Sequence, residues 1–337
     1  MKIPIKNIFT VKKVKPQKQA EYLLVLSRLT MNGFSIKQAI NCLKMLENKN
    51  SIFDAIYQDL QRGEMIAEAM KHLQLPPVIN NQLSIAQNNG GLQQTLLQSG
   101  MILQNKSRQK EKLLDLLAYP AFIMLFLVVM LVGMKIYIVP QLDLNNDSDL
   151  INIFITSVVS IVAAIFLGLL HFVYRLRKMT EYQRSIVLIK LPIVGKAYAS
   201  FFQFIILQGL GMQVGSGLNL HDICSSTNSF ERGSIQCALS HNFSLGMSNG
   251  KNLYSLIEKE PLLPNELKMI LQSGGDTKEI SQDLIMMSEL KFEETQRRIK
   301  KILNLVQPIL FGVIAIVILI TYLIVLLPVY GMMKGMG

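Results

Sequence analysis

The chain has 337 residues, half of them apolar and only 17% charged, with a formal net charge of +11. That length accommodates two or three modest domains, and the charge content is low for a soluble protein. Three cysteines, Cys42, Cys224 and Cys237, none at metal-ligand spacing from another, argue against a disulfide framework and against a cysteine-based metal site.

In chain order, residues 1–18 form a basic tail with Lys2, Lys6, Lys12, Lys13, Lys15 and Lys18 and no acid before Glu21. No apolar run follows the lysines, so the tail does not read as a signal peptide. It reads either as a polybasic contact for anionic lipid or an acidic partner, or as a solvated arm. Residues 19–115 read as a helical bundle. Leu23, Leu26 and Leu29, then Ile36, Ile40, Leu43 and Leu46, recur near a period of 3.6. Asn32-Gly33 interrupts the run, and Ser35 stands where an N-cap belongs. Gly63 opens an amphipathic helix with Ile66, Ala69 and Met70, Pro77 precedes another helix, and Asn89-Gly90-Gly91-Leu92 is a stop. A basic stretch with Lys106, Arg108, Lys110 and Lys112 leads to Tyr119-Pro120, which opens an apolar run closed by Pro140.

Residues 116–139 and 151–174 are each apolar and long enough to cross a bilayer. The loop between them, 140–150, has no Lys or Arg and carries Asp143, Asp147 and Asp149. Residues 175–198 read as a linker and 199–305 as a second helical bundle. A third apolar stretch, 306–330, is followed by the short tail 331–337.

The second bundle repeats the punctuation of the first. Gly217-Leu218-Asn219-Leu220 matches Gly33-Phe34-Ser35-Ile36, Gly250 matches Gly63, Pro264 matches Pro77, and Ser273-Gly274-Gly275-Asp276 matches the first glycine stop. Arg297, Arg298, Lys300 and Lys301 then lead into Gln307-Pro308 and an apolar run closed by Pro328, as Pro120 and Pro140 bound the first. The pattern predicts a duplicated unit. The last helix of each copy is expected to run on through its basic flank into the membrane.

Charge sets the expected orientation. Lys and Arg fill 1–117 and 175–305 and are absent from 140–150. The positive-inside rule then puts both bundles and the N-terminus in the cytoplasm and the acidic loop and C-terminus outside. The net positive charge is better explained by this orientation than by nucleic-acid binding.

No constellation for chemistry emerges. Gly246 to Lys251 resembles a phosphate loop but has three residues between the glycines where four are needed, and Asn252 replaces the Ser or Thr. Gly209, Gly211 and Gly215 miss the dinucleotide spacing. His72, His171, His221 and His241 do not pair at helical spacing, and His221-Asp222 sits at a helix start, where the dipole favours an acid. No catalytic, cofactor or metal residue is expected. The three apolar stretches hold no acid, which argues against an ion-coupled transporter. A small oligomeric transporter or permease subunit is nonetheless the runner-up reading.

The ordered set of Gly33-Phe34-Ser35-Ile36, Gly63-Glu64, Ala86 to Leu92, Leu117-Ala118-Tyr119-Pro120 and Leu191-Pro192-Ile193-Val194-Gly195, with the duplication, resembles the F family of the type II secretion system. These are the polytopic inner-membrane platform proteins of type II secretion, type IV pili and the competence pseudopilus. The resemblance covers about residues 18–330, and the Gly-Phe-Ser-Ile wording leans toward the competence branch of Gram-positive bacteria. It implies an all-α membrane protein with two homologous cytoplasmic bundles of about six helices each and three transmembrane helices. It implies no enzymatic activity of its own. The implied partners are a cytoplasmic assembly ATPase, the major pilin or pseudopilin, the lipid bilayer and further copies of the chain. DNA uptake would be the outcome without direct nucleic-acid binding. The chain departs from the family where Gln87-Asn88 and Gly274-Gly275 replace Gly-Glu, and where Gln307-Pro308 replaces the second Tyr-Pro. The metal binding suggested for some relatives is therefore not carried over.

Overall fold

The computed structural model describes residues 14–47, 51–137, 160, 167–168, 170–227, 230 and 233–335. Every regular element among them is a helix, as the all-α reading expects. The expectations for the tail (residues 1–13), the loop 140–150 with Pro140, and most of the stretch 151–174 fall outside the described residues.

The first set of helices is α1 (Pro16–Met31), α2 (Ile36–Leu46), α3 (Ser51–Gln61), α4 (Ile66–Ala69) with a 3₁₀ turn at Met70–Leu73, α5 (Pro77–Asn89) and α6 (Leu92–Tyr137). The helix ends follow from local chemistry. α1 closes with the Phe34 amide donating to the Leu29 carbonyl at 3.1 Å while Gly33 takes φ +88°. This is a Schellman ending, which needs a left-handed residue and therefore favours glycine. The same closure recurs at Gly63, Gly217 and Gly250, with the Glu64, Leu218 and Lys251 amides reaching back to Asp59, Gln213 and Gly246. Ser35 and Gln38 form a reciprocal capping box at the start of α2.

These helices enclose an apolar core in which Leu23, Leu26, Ile40, Phe53, Ile56, Met70, Leu73, Leu83, Leu96 and Leu103 are fully buried. Tyr22 and Phe53 meet edge to face at 4.8 Å. One expected core residue is not there. Leu46 is 74% exposed, because the buried stripe of α2 runs through Ala39, Ile40 and Leu43, and position 46 lies a further turn fraction around the helix.

The second set is α7 (Glu181–Ile189), α8 (Gly195–Gly215), α9 (Leu220–Thr227), α10 (Ile235–Ser248), α11 (Leu253–Lys259), α12 (Asn265–Gln272) and α13 (Thr277–Gly335). From α8 to α13 the order follows α1 to α6. Asn219 caps α9 through the Asp222 amide at 3.0 Å. A second apolar core forms around Ile206, Leu207, Ile235, Ile257, Leu262, Leu267 and Leu284.

The stretch 175–198, which reads as a linker in the sequence, contains helix. Residues 170–178 are helical. α7 then docks on the second core, with Ser185 buried and Tyr182 and Ile189 packed against the core. The Tyr182 hydroxyl donates to Glu260 Oε2 at 3.0 Å. The flanking Arg175, Arg177, Lys178 and Pro192 give this stretch a linker-like composition, while the short apolar face of α7 carries its packing.

α6 and α13 are uninterrupted, at 46 and 59 residues. The expected boundaries at 115/116 and 305/306 fall inside these helices, and Pro120, Pro308 and Pro328 are helix-interior residues. Each first helix runs back along the long helix of its set. Leu24 of α1 lies against Gly100 of α6, and the Ser27 hydroxyl donates to the Gln93 carbonyl at 3.0 Å. In the second set Gly215 meets Ser281, Gly211 meets Ile285, and the Phe204 and Phe292 rings lie 5.0 Å apart.

Candidate membrane and docking surfaces

Beyond Pro120, α6 turns its large apolar side chains outward. Phe122, Leu125, Phe126, Val129 and Ile136 are each more than half exposed. α13 does the same with Ile309, Ile316, Leu319 and Tyr322. Among the described residues, one helix passes the test of length and apolarity for crossing a membrane, the Thr277–Leu319 part of α13. So much bare apolar surface is costly in water and is satisfied by lipid. A proline removes one helical hydrogen bond, so the carbonyls of Leu116, Asn304 and Ile324 lose their usual partner at Pro120, Pro308 and Pro328.

The two sets touch along a seam of side-chain amides. Gln82 of α5 donates to the Ile205 carbonyl of α8 at 2.8 Å, and the Ser216 hydroxyl donates to the Asn89 carbonyl at 2.7 Å. Gln94 donates to Glu289 at 3.1 Å, and Gln98 pairs with Gln208. Gln109 and Gln296 meet at 3.3 Å across a sequence separation of 187. Pro77 and Pro264 share that separation, so the last pair joins equivalent positions of the two copies. Sequence reading missed this seam, because a polar residue on an amphipathic helix looks like a solvated one.

The near-motif glycines have packing roles. Gly209 admits Ile85 of α5, Gly211 admits Ile285 and Gly215 admits Ser281. The Gly246–Lys251 stretch is the end of α10 and its Schellman turn. His72 contacts Asp59 at 2.7 Å on the surface. Among the described residues no three of His, Cys, Asp and Glu converge as metal ligands.

The singled-out residues do not gather into one site; they punctuate the chain. Gly33, Gly63, Gly217 and Gly250 close helices, and Gly90 and Gly274 stand at positive φ before α6 and α13. Tyr119 is 61% exposed, whereas Pro120 is buried. Pro192 lies in the turn between α7 and α8, and Gly195 opens α8 against the Ile189 carbonyl. Pro308 is exposed and Pro328 lies further along α13.

Two concavities stand out. One, of ≈ 290 Å³, lies within the second core and is lined almost wholly by apolar groups, with Ser240, Cys224 and Phe243 among them. The register of the repeat shows how its lining differs from the first core. Tyr22 and Phe53 of the first core correspond to Ile206 and Ser240, while Ile56 corresponds to Phe243, so the rings of the second core are differently placed. The other, of ≈ 370 Å³, opens between α6, α8 and α13 where the basic stretches lie.

Near the second core, Glu260 is buried and accepts from the Tyr182 hydroxyl and the Leu262 amide. Burial pushes its carboxyl above the ordinary carboxylate value, against those hydrogen bonds. Burial, and then the Glu260 charge, push the Tyr182 hydroxyl up to about 12. The pair pins α7 to α11 and its flank.

A twice-used set of short helices, each ending in a long helix that leaves its core bare and apolar, defines a helical membrane-associated protein. The chain belongs to the type II secretion system protein F family, whose profile matches it twice, over residues 22–140 and 206–328. It is 25% identical over 316 residues to the ComG operon protein 2 homolog of Halalkalibacterium halodurans, covering 89% of this chain and 98% of that protein. It is 22% identical over 327 residues to ComG operon protein 2 of Bacillus subtilis, covering 91% of this chain and all of that one. Within the family, its similarity is thus to the ComG operon branch.

Proposed function

We propose that this chain is the membrane platform of a competence-type pseudopilus, spanning the cell membrane three times with its N-terminus in the cytoplasm and its C-terminus outside. The two helix sets are cytoplasmic handles for an assembly ATPase, and the apolar ends of α6 and α13 stand in the bilayer, where the pilin-like subunit is received. Several copies assemble at the base of the fibre. Nucleotide hydrolysis belongs to the partner, and the chain itself contacts no nucleic acid.

The observation that carries this reading is the continuity of α6 and α13 from their cores into the exposed apolar segments. A helix without a break transmits a push or a turn from a soluble core to a membrane segment, whereas a flexible joint dissipates it. In-frame deletion in the host tests the reading: pseudopilus assembly and DNA uptake are both lost, and filaments that still assemble refute it. Cysteine placed at Asp147 is labelled from outside intact cells if the orientation holds.

A further inference from the structure

We infer that the exposed stripe of Met269, Met286 and Leu290 on α12 and α13 docks α1 of a second copy of this chain, head to tail. The inference rests on the reading that several copies assemble, and names the surface through which they do so.

The seam within the chain is the template. There the first set offers α5 and α6, and the second set lays α8 against them. Gln82 donates to the Ile205 carbonyl, Gln98 pairs with Gln208, and the Thr95 hydroxyl lies 3.5 Å from the Met212 sulfur. The contact joins unlike faces. The counterparts of these faces are α12 and α13 in the second set and α1 in the first.

Residues shared by the two sets fix the register of those counterparts. Leu96 and Leu284 are each buried in their core, and Pro120 and Pro308 each sit within the long helix. Both pairs have an offset of 188, one more than Pro77 and Pro264. Asp283, Met286 and Leu290 therefore stand where α6 has Thr95, Gln98 and Ile102. Met269 falls at the level of Asn81 and Gln82 in α5. The Schellman glycines Gly33 and Gly217 align α1 with α8, so Leu24 and Arg28 stand for Gln208 and Met212. Asn81 and Gln82 are buried against the second set. Met269, Met286 and Leu290 are instead 69%, 64% and 48% exposed.

Carried over in that register, the seam's pairs become chemically complementary. Gln98 with Gln208 becomes Met286 with Leu24, an apolar pair. Thr95 with Met212 becomes Asp283 with Arg28, a pair of opposite charges. Both charged side chains are exposed, and among the described residues neither has an ion-pair partner in its own chain. Nearer the membrane Arg108 and Arg297 come together and repel, so the contact ends at the basic stretches. Lipid does not reach the stripe. Met286 and Leu290 lie about 30 and 24 Å along the helix before the apolar stretch that begins at 306, well outside the headgroup layer. The seam also keeps α6 and α13 running in the same direction, since Gln94 meets Glu289 and Gln109 meets Gln296. A second contact of this kind therefore sends every copy into the membrane in one sense, as a head-to-tail ring requires.

The test co-expresses two differently tagged full-length chains and measures capture of one tag with the other in mild detergent. Parent chains capture each other. Arg28→Glu in both chains lowers capture at least about fivefold, through like charges across the contact. Asp283→Arg does the same, and the two exchanges together restore capture, which separates the contact from misfolding. In membranes, a short bismaleimide links a chain carrying Leu24→Cys to one carrying Met286→Cys. The product bears both tags and is absent from the parent and from either variant alone. A product from one variant alone means a symmetric contact and overturns the inference. So does a link from Met286→Cys to the assembly ATPase instead of a second copy, or a double exchange that does not restore capture. No capture between parent chains overturns the reading of several copies and the site with it, whereas capture that survives both single charge variants overturns the site alone.

Discussion

Replacing Gly195 by alanine places a Cβ 2.3 Å from the Ile189 carbonyl oxygen, 2.9 Å from its carbon and 3.3 Å from the Leu188 oxygen. All three are backbone atoms, so no side chain can rotate away. Restoring ordinary contact needs about 1 Å of relative movement between the end of α7 and the start of α8. Both helices are anchored, α7 by Tyr182 on Glu260 and α8 by Phe202, Ile206 and Leu207 in the core. The cost belongs at the upper end of the overpacking range, about 3 kcal/mol. Gly33→Ala is the comparison. There φ is +88° but no atom lies within 4 Å, so the cost is the left-handed backbone alone, about 1 kcal/mol. Thermal unfolding of the full chain in detergent separates the two. Gly195→Ala lowers Tm by roughly 6–12 °C, about three times the drop for Gly33→Ala. An equal or smaller drop for Gly195→Ala would refute the reading that the close approach of Gly195 to the Ile189 carbonyl requires a glycine there.

Three further outcomes follow from the same geometry. Phe53→Ala removes a fully buried ring from the edge-to-face pair with Tyr22 and destabilises the first core by about 3–5 kcal/mol; the equivalent Ser240→Ala is much milder, as denaturant titration will show. Glu260 has a raised carboxyl, so its neutral form is the one the fold prefers. Its contribution is fully present below the ordinary carboxylate value and is lost as pH rises through the raised one. Glu260→Gln should therefore flatten this part of the Tm-versus-pH curve, and parallel curves for variant and parent would contradict it. Lys300→Pro breaks α13 between its core and its apolar end, at about 3 kcal/mol of local helix stability. It should leave membrane insertion intact while abolishing pseudopilus assembly; assembly at the parental level means that continuity is not needed.

Much of this architecture was legible because it is written locally. The Schellman endings at Gly33, Gly63, Gly217 and Gly250 and the caps at Ser35 and Asn219 depend on residues within one turn of each other, so short patterns reveal them. Their recurrence in order exposed the two copies, and the basic flanks indicated that α6 and α13 continue. What stayed hidden depends on residues far apart. Gln82, Gln94 and Gln109 read as solvated until α8 and α13 are brought beside them. α7 reads as linker because its few apolar residues mean little without Glu260 and the second core. The two concavities appear only once helices are assembled. The cavity in the second core is lined by residues of α8 to α13 that nothing in the local sequence connects.

If the helix sets are handles joined rigidly to the membrane, the assembly ATPase is captured through them. The tagged full-length chain is solubilised from competent cells and the co-purifying ATPase is quantified for the parent and for Lys300→Pro. Both are expected to retain the ATPase, since the handles are intact, while only the parent supports DNA uptake. Failure of the parent to retain the ATPase, directly or in a complex, would mean that the helix sets are not its handles.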